Sequence, residues 1–355
     1  MNRGLPWLAL GLLAVALAAP ASEAPVADAL RRPALTVSAP TRAVLIDVTR
    51  AGERLVAVGE QGLILLSDDN GRSWRQAPSP TSVSLTAVDF PTAQQGWAVG
   101  HAGVVLHSND GGASWAVQLD GQAVAERELQ AASAANDDSP AAQRRLKAAR
   151  ALVAEGADKP WLALYFANAR EGTLVGAFGL VLHTENGGAT WQSWMGRLDN
   201  PAGNHLYAIT GQGQQLYIAG EQGTLWGSDD GGAHLRRLPS PYEGSFFSAA
   251  LEPDGTLLAA GLKGNAWRSR DQGQHWQALG NDYASSIVAA RPAWNDGVML
   301  LDQGGRLLQA NEQGALRPQG RPLGNLPAAL AQAADGRWVA VGARGIERVE
   351  QVTAP

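Results

Sequence analysis

One stretch of the chain, residues 56–74 (VAVGEQGLILLSDDNGRSW), returns in recognisable form six more times before the C-terminus, so the fold must be an array of like units. Each copy opens with an apolar run that ends in a Gly-x-x-Gly pair. The pair is Gly59 and Gly62 first, then Gly100 and Gly103, Gly176 and Gly179, Gly220 and Gly223, Gly261 and Gly264, and Gly342 and Gly345. One copy is worn: Asp302 stands in place of the first glycine and Gly305 keeps the second.

The second half of the unit has the pattern S-x-D-x-G-x-[ST]-W, met as Ser67, Asp69, Gly71, Ser73 and Trp74. Ser108, Asp110, Gly112, Ser114 and Trp115 repeat it fully; Thr184, Asn186, Gly188, Thr190 and Trp191 repeat it conservatively. Ser269, Asp271, Gly273 and Trp276 lose only the second hydroxyl, to His275, and Ser228, Asp230 and Gly232 open a weaker copy that ends at His234. Asp, Asn, Ser and Thr side chains bond nearby backbone N–H groups and glycine reaches angles closed to other residues, so the pattern specifies a tight hairpin. The Trp anchors it, burying a large apolar area with one N–H to place. The pattern resembles the Asp-box, or BNR repeat, of sialidases and of many non-catalytic propellers.

Units recurring about every 40 residues are expected for four-stranded propeller blades, whose sheets cannot bury both faces until they stack. First strands start near Leu45, Leu85, Leu162, Leu206, Phe247, Ile287 and Ala328, which gives seven blades over residues 34–355. The expected class is all-β, a seven-bladed β-propeller. The seventh blade shows three strands, and the alternating stretch 34–39 (ALTVSA) is expected to supply its outer strand and close the ring.

One interval breaks the rhythm. Between Leu85 and Leu162 lies a surplus, residues 121–159, in which β-branched residues give way to Ala, Gln, Glu and Arg, strong helix formers. Two helices fit, one near 122–135 and one with Ser139 as N-cap, Pro140 at its first position and Gly156 just past its end. Leu146, Ala149, Leu152 and Val153 share a face; Arg144, Arg145, Lys147 and Arg150 crowd the other side. The spacing predicts a helical hairpin inserted between blades two and three. It joins the outer strand of one blade to the inner strand of the next, and such connections share a face with the Gly-x-x-Gly tips. The Asp-boxes belong to the opposite rim.

The chain has no cysteine, which excludes disulfides and thiolate chemistry, and a net charge of −5 with no long basic run argues against general nucleic-acid binding. Residues 1–21 carry Arg3, an apolar run from 5 to 19 and small residues at Ala19 and Ala21, the pattern of a cleavable secretory signal followed by a spacer at 22–33. An uncleaved anchor is the competing expectation, although the run is shorter than the roughly 20 residues a spanning helix needs. The protein is expected in the periplasm or a lumen-like compartment.

The Asp-box residues Ser67, Asp69, Trp74, Ser108, Asp110, Trp115, Thr184, Trp191, Ser269, Asp271 and Trp276 are assigned structural roles. A calcium site needs six or more converging oxygens, more than one such turn offers. The six histidines show no metal-site spacing; His107 and His183 recur at one place in the repeat, as inheritance would leave them. No cofactor motif is present. Exposed tips on a rigid ring are natural recognition positions, which makes Glu60, Gln61, His101, Phe178, Glu221, Gln222, Lys263 and Arg344 candidate partner contacts. The basic cluster Arg144, Arg145, Lys147 and Arg150 is either a solvated face, paired with Glu126 and Glu128, or a docking surface for an acidic protein or anionic lipid.

Two families share the Asp-box. Sialidases use an arginine triad, a Tyr nucleophile with a Glu, and an Asp on six blades; here the usual Arg-Ile-Pro is missing, since Arg321-Pro322 lacks the middle residue. The stretch 97–115 (WAVGHAGVVLHSNDGGASW) instead resembles, nearly residue for residue, the repeat of the photosystem II stability and assembly factor-like proteins. The likeness runs from about Leu45 onward, with the helical insertion as a departure. It implies an exported, non-catalytic scaffold, expected as a monomer, that holds a membrane protein or a membrane-associated complex. The alternative is a glycan-cleaving or glycan-binding propeller, for which Glu60 and Glu221, on equivalent tips, are the acids to suspect.

Overall fold

The computed structural model describes residues 28–349, apart from 136, 157, 295, 296 and 312; the signal-like segment 1–21 lies outside them. Seven antiparallel sheets follow one another along the chain, six of four strands and a last one of three. Within each, the strands take their order from the sequence. In the first blade they are Leu45–Ala51, Arg54–Gly59, Ile64–Ser67 and Arg75–Gln76.

Local sequence dictates this meander. The innermost strand slips its register by one residue near the first glycine of the pair, at Leu45/Asp47 in the first blade and at the corresponding place in the others. That slip brings two backbones together: a Cβ at Gly59 would lie 2.2 Å from the Val44 carbonyl oxygen. Gly59 is extended, so it is required by close approach and not by its dihedrals. Gly62 is required by both, at φ +74° and with the Thr81 carbonyl 2.0 Å from where a Cβ would sit. In the worn sixth copy the fully buried Asp302 carboxylate takes over the tip, accepting from the N–H of Arg306 at 2.7 Å and from its guanidinium at 3.1 Å.

The core lies between blades. An apolar cluster fills each of the seven junctions. Trp97 of blade two stacks on Phe166 of blade three at 3.7 Å, and Leu45, Val48 and Leu55 of blade one pack with Ala329, Val339 and Val341 of blade seven. The first and last blades therefore join as the others do.

That junction corrects one expectation. Residues 34–39 form no strand and do not pair with Gly345–Arg348, the outermost strand of the last blade. They run along blade one instead, where Ala34 N–H donates to the Ser79 carbonyl at 3.1 Å and the Gln76 side chain accepts from Val37 N–H and donates to the Leu35 carbonyl. Pro33 and Pro40 bracket the stretch, and the Gln76 side chain takes up one N–H and one carbonyl that a neighbouring strand would otherwise pair. Blades one and seven are tied by side chains. Arg348 donates to the Asn70 carbonyl at 2.9 Å and pairs with Asp335, whose N–H reaches Asn70 Oδ1.

The insertion forms two α-helices, α1 (Gly121–Ala134) and α2 (Pro140–Glu155). Asp120 and Ser139 cap their N-termini, and Gly156 ends α2 at φ +85°. Val124, Ala125 and Ala132 of α1 and Ala149 of α2 are buried, while Leu146, Leu152 and Val153 are half-buried. No helix among the described residues is long and apolar enough to cross a membrane.

Candidate docking face

Five Gly-x-x-Gly tips share one conformation, a single 3-10 turn whose middle residue is left-handed: Gln61, Ala102, Phe178, Gln222 and Lys263 have φ between +53° and +56°. The turn holds Glu60, Gln61, His101, Phe178, Gln222 and Lys263 exposed, and Arg344 is exposed on the tighter seventh tip. Glu221 is the exception. Its carboxylate turns back to accept from the His205 N–H at 3.1 Å. Glu60 belongs to the first blade and Glu221 to the fourth.

Phe178 is unusual among these residues. A large apolar side chain, 54% exposed, sits in the left-handed region, which costs an L-residue roughly 1 kcal/mol. Its surroundings are ordered: the His205 ring meets it edge-on at 5.0 Å, the Lys159 ammonium lies 5.0 Å above it, and its N–H donates to His205 Nδ1 at 2.9 Å. Lys159 is in turn held by Glu155 and Asp158, each at 2.8 Å.

Between this tip and the hairpin opens a groove of about 720 Å³. Its walls include Ala148, Leu152, Met195 and Leu198, with Arg144 and Phe178 among the lining residues. The hairpin is fastened to the ring at Glu128 of α1, which is 2% exposed and accepts from Arg145 Nε at 2.8 Å, Arg145 Nη2 at 3.0 Å and the Ser193 hydroxyl. The basic cluster is thus divided: Arg145 is committed to Glu128, whereas Arg144, Lys147 and Arg150 face solvent.

The opposite rim is built differently. In the first Asp-box, Asp69 accepts from the Ser67 hydroxyl at 2.8 Å, from Ser73 N–H at 2.8 Å and from the Ser73 hydroxyl at 2.6 Å, while Gly71 N–H donates to Ser67 Oγ. The bonds from Ser73, with weaker ones from Ser67 and Arg72, lower the Asp69 carboxyl to about 2. Asp110, Ser108 and Ser114 repeat the network, and in the Ser269 box Asp271 bonds His275 Nδ1 at 2.6 Å, so the imidazole replaces the missing hydroxyl. Thr184 bonds Asn186 in the same way. Trp74 and Trp115 donate to the carbonyls of Gly71 and Gly112, and Trp276 to that of Pro239; Trp191 is buried with its Nε1–H unpaired among the described residues. His183 donates or accepts across 2.9 Å with Thr173, stacks on Trp194 at 3.7 Å and is pushed down to about 4 by burial and then by Arg197. Among the described residues no three acidic or histidine groups converge as a metal site would require.

A further group lies outside the glycine pairs and the Asp-boxes. Three charged residues meet on innermost strands facing the central channel: Asp47, Asp89 and Arg291. Asp47 accepts from Val48 N–H, from Val88 N–H of the next blade and from Arg291 at 3.2 Å; Asp89 accepts from Phe166 N–H at 2.8 Å. Burial raises both carboxyls, Asp89 to about 6. A sequence signal existed, since Asp89 and Arg291 occupy the ladder place that Thr49 and Thr210 hold in other blades.

Fold and rims together define an Asp-box β-propeller. The chain belongs to the photosynthesis system II assembly factor YCF48 family, whose model matches residues 27–137 and 147–347. That match starts earlier than Leu45 and leaves out residues 138–146, which lie within the helical insertion. Among solved structures, a YCF48 bound to a D1 peptide is 15% identical at a TM-score of 0.61, covering 90% of this chain and 99% of that one. YCF48 from Cyanidioschyzon merolae is 15% identical at 0.59, covering 86% and 95%. A streptogramin B lyase is 12% identical at 0.66, covering 91% and 99%, which shows that the fold alone does not separate binders from enzymes. No curated protein matches the sequence.

Proposed function

We propose that the protein is an exported, monomeric, non-catalytic scaffold that holds an extended segment of a membrane-protein client in the groove between α2 and the Phe178 tip. The observation that carries this is the joint construction of one face, where a groove with apolar walls, a strained exposed aromatic and the exposed Arg144 lie beside each other, with Lys147 and Arg150 exposed on the same helix. Membership of an assembly-factor family, and a YCF48 seen with a D1 peptide, support a peptide-holding role. An apolar segment would lie along Leu152, Met195 and Leu198, with acidic flanks towards the cations. Export would proceed through residues 1–21 to a periplasmic or lumen-like compartment.

The test is a crosslinking pull-down from envelope membranes, comparing the full chain with one in which residues 121–159 are replaced by a short Gly-Ser loop. A membrane protein captured by the first and lost from the second is the expected result. Equal capture by both would remove the hairpin from the site, and retention of a soluble glycan with no protein would replace the scaffold by the glycan-binding alternative.

A further inference from the structure

The central channel holds a cavity of about 470 Å³ that the docking face does not use. Its wall is laid down in levels by the inner strands. At the level of Asp47 the other six blades place only small residues, Ala87, Ala163, Ala208, Ser248, Ala289 and Ala329, so the wall recedes there and leaves room. Towards the tip face Tyr207 and Phe247 form an edge-to-face aromatic pair at 5.4 Å, both half-exposed and both lining the chamber.

Charge in this chamber is unbalanced. Arg291 is spent on Asp47 and on the Ala290 carbonyl, and Asp47 has two backbone donors besides. Asp89 has backbone N–H partners alone and, among the described residues, no ion pair. The groups facing it are Asp47, Arg291 and the Tyr165 phenol, itself pushed up to about 12 by burial and by Asp89. A half-buried carboxylate beside a second carboxylate is unfavourable unless a cation joins it. Aromatic walls favour the same ligand, since ring faces attract ammonium and guanidinium groups.

We propose that the channel is a binding site for one small organic cation, an alkylguanidinium or alkylammonium, with its charge on Asp89 and its alkyl stem along the channel wall to which Tyr207 and Phe247 contribute. Arg291 stays on Asp47 and keeps that carboxylate from competing. The cation could be a free small molecule or the side chain of a bound peptide, since both present the same group.

Calorimetric titration of agmatine into the full-length protein at pH 8 and low salt tests this. Saturable one-to-one binding is expected, with at least a tenfold loss in Asp89→Asn, which keeps the shape and the acceptor for Phe166 N–H. 1-Pentanol, of similar length and no charge, should not bind. A blocked Gly-Arg-Gly peptide that competes with agmatine would identify a side-chain site, and one that does not would identify a small-molecule site. No agmatine binding to the folded protein, or equal affinity in Asp89→Asn, overturns the proposal. The site is independent of the docking groove: replacing residues 121–159 should leave agmatine binding unchanged, whatever it does to client capture.

Discussion

The two rims of this ring come from the same repeated unit and differ in what the unit does with its polar groups. On the Asp-box rim the intact boxes close largely on themselves, with Asp69 or Asp110 satisfying the hydroxyls and N–H groups of its own loop. On the tip rim the backbone is fixed just as firmly, yet the side chains between the two glycines bond little and point outward. A turn that satisfies itself serves stability. A rigid turn that leaves its side chains free serves recognition, because binding then orders little new chain.

That contrast breaks first at its strongest point. Trp115→Ala removes a buried indole packed edge-on against Phe90 at 5.7 Å and should cost about 3–5 kcal/mol in urea unfolding. A cost below about 1 kcal/mol would mean the Asp-box Trp does not anchor its blade.

Next is the joint between hairpin and ring. Glu128→Gln leaves Arg145 without its counter-charge at a 2% exposed position and should destabilise by about 2–4 kcal/mol. Limited proteolysis should then cut in or near α1 and α2 before it cuts the blades; uniform cutting would show that the hairpin is held by something other than this pair.

The channel sharpens the comparison in the opposite sense, because its polar groups cost stability. Asp89 has a raised carboxyl, so the folded state binds the proton more tightly than the unfolded chain, and stability falls as pH rises from about 4 to about 6. Asp89→Asn removes that loss. It should stabilise by about 1–2 kcal/mol at pH 8 and change little at pH 4, where the carboxyl is neutral when folded. Equal effects at both values would trace the change to packing.

The smallest expected effect separates the rims most cleanly. Phe178→Gly relieves a left-handed side chain and should leave the protein as stable or up to about 1 kcal/mol more so, while client capture falls. A matched loss of stability would place Phe178 in the core of its blade and not in a site.

Much of this was legible in the sequence because each repeat carries its own punctuation. The glycine pairs, the Asp-box and the caps at Ser139 and Gly156 act within a few residues, and the strands, tips and helices lie where these marks place them. What failed to show was pairing over distance. Arg145 reads as one more surface cation on a helix, and only the packing of α2 on α1 reveals Glu128 beneath it. Residues 34–39 alternate like a strand, yet the Gln76 side chain of another blade decides where they lie. Asp89 and Arg291 become neighbours only when the ring brings blades two and six to one channel. His275 looked like a defect in its box until the imidazole was seen to reach Asp271.

The central claim is that the tip face, and not the Asp-box face, meets the client. A photo-crosslinking residue placed at position 178 and, in a second protein, at position 73 tests it most directly, with both proteins irradiated in the same envelope membranes. Position 178 should give one discrete membrane-protein adduct and position 73 none. An adduct at 73 alone would put the client on the opposite rim and contradict the assignment of the two faces.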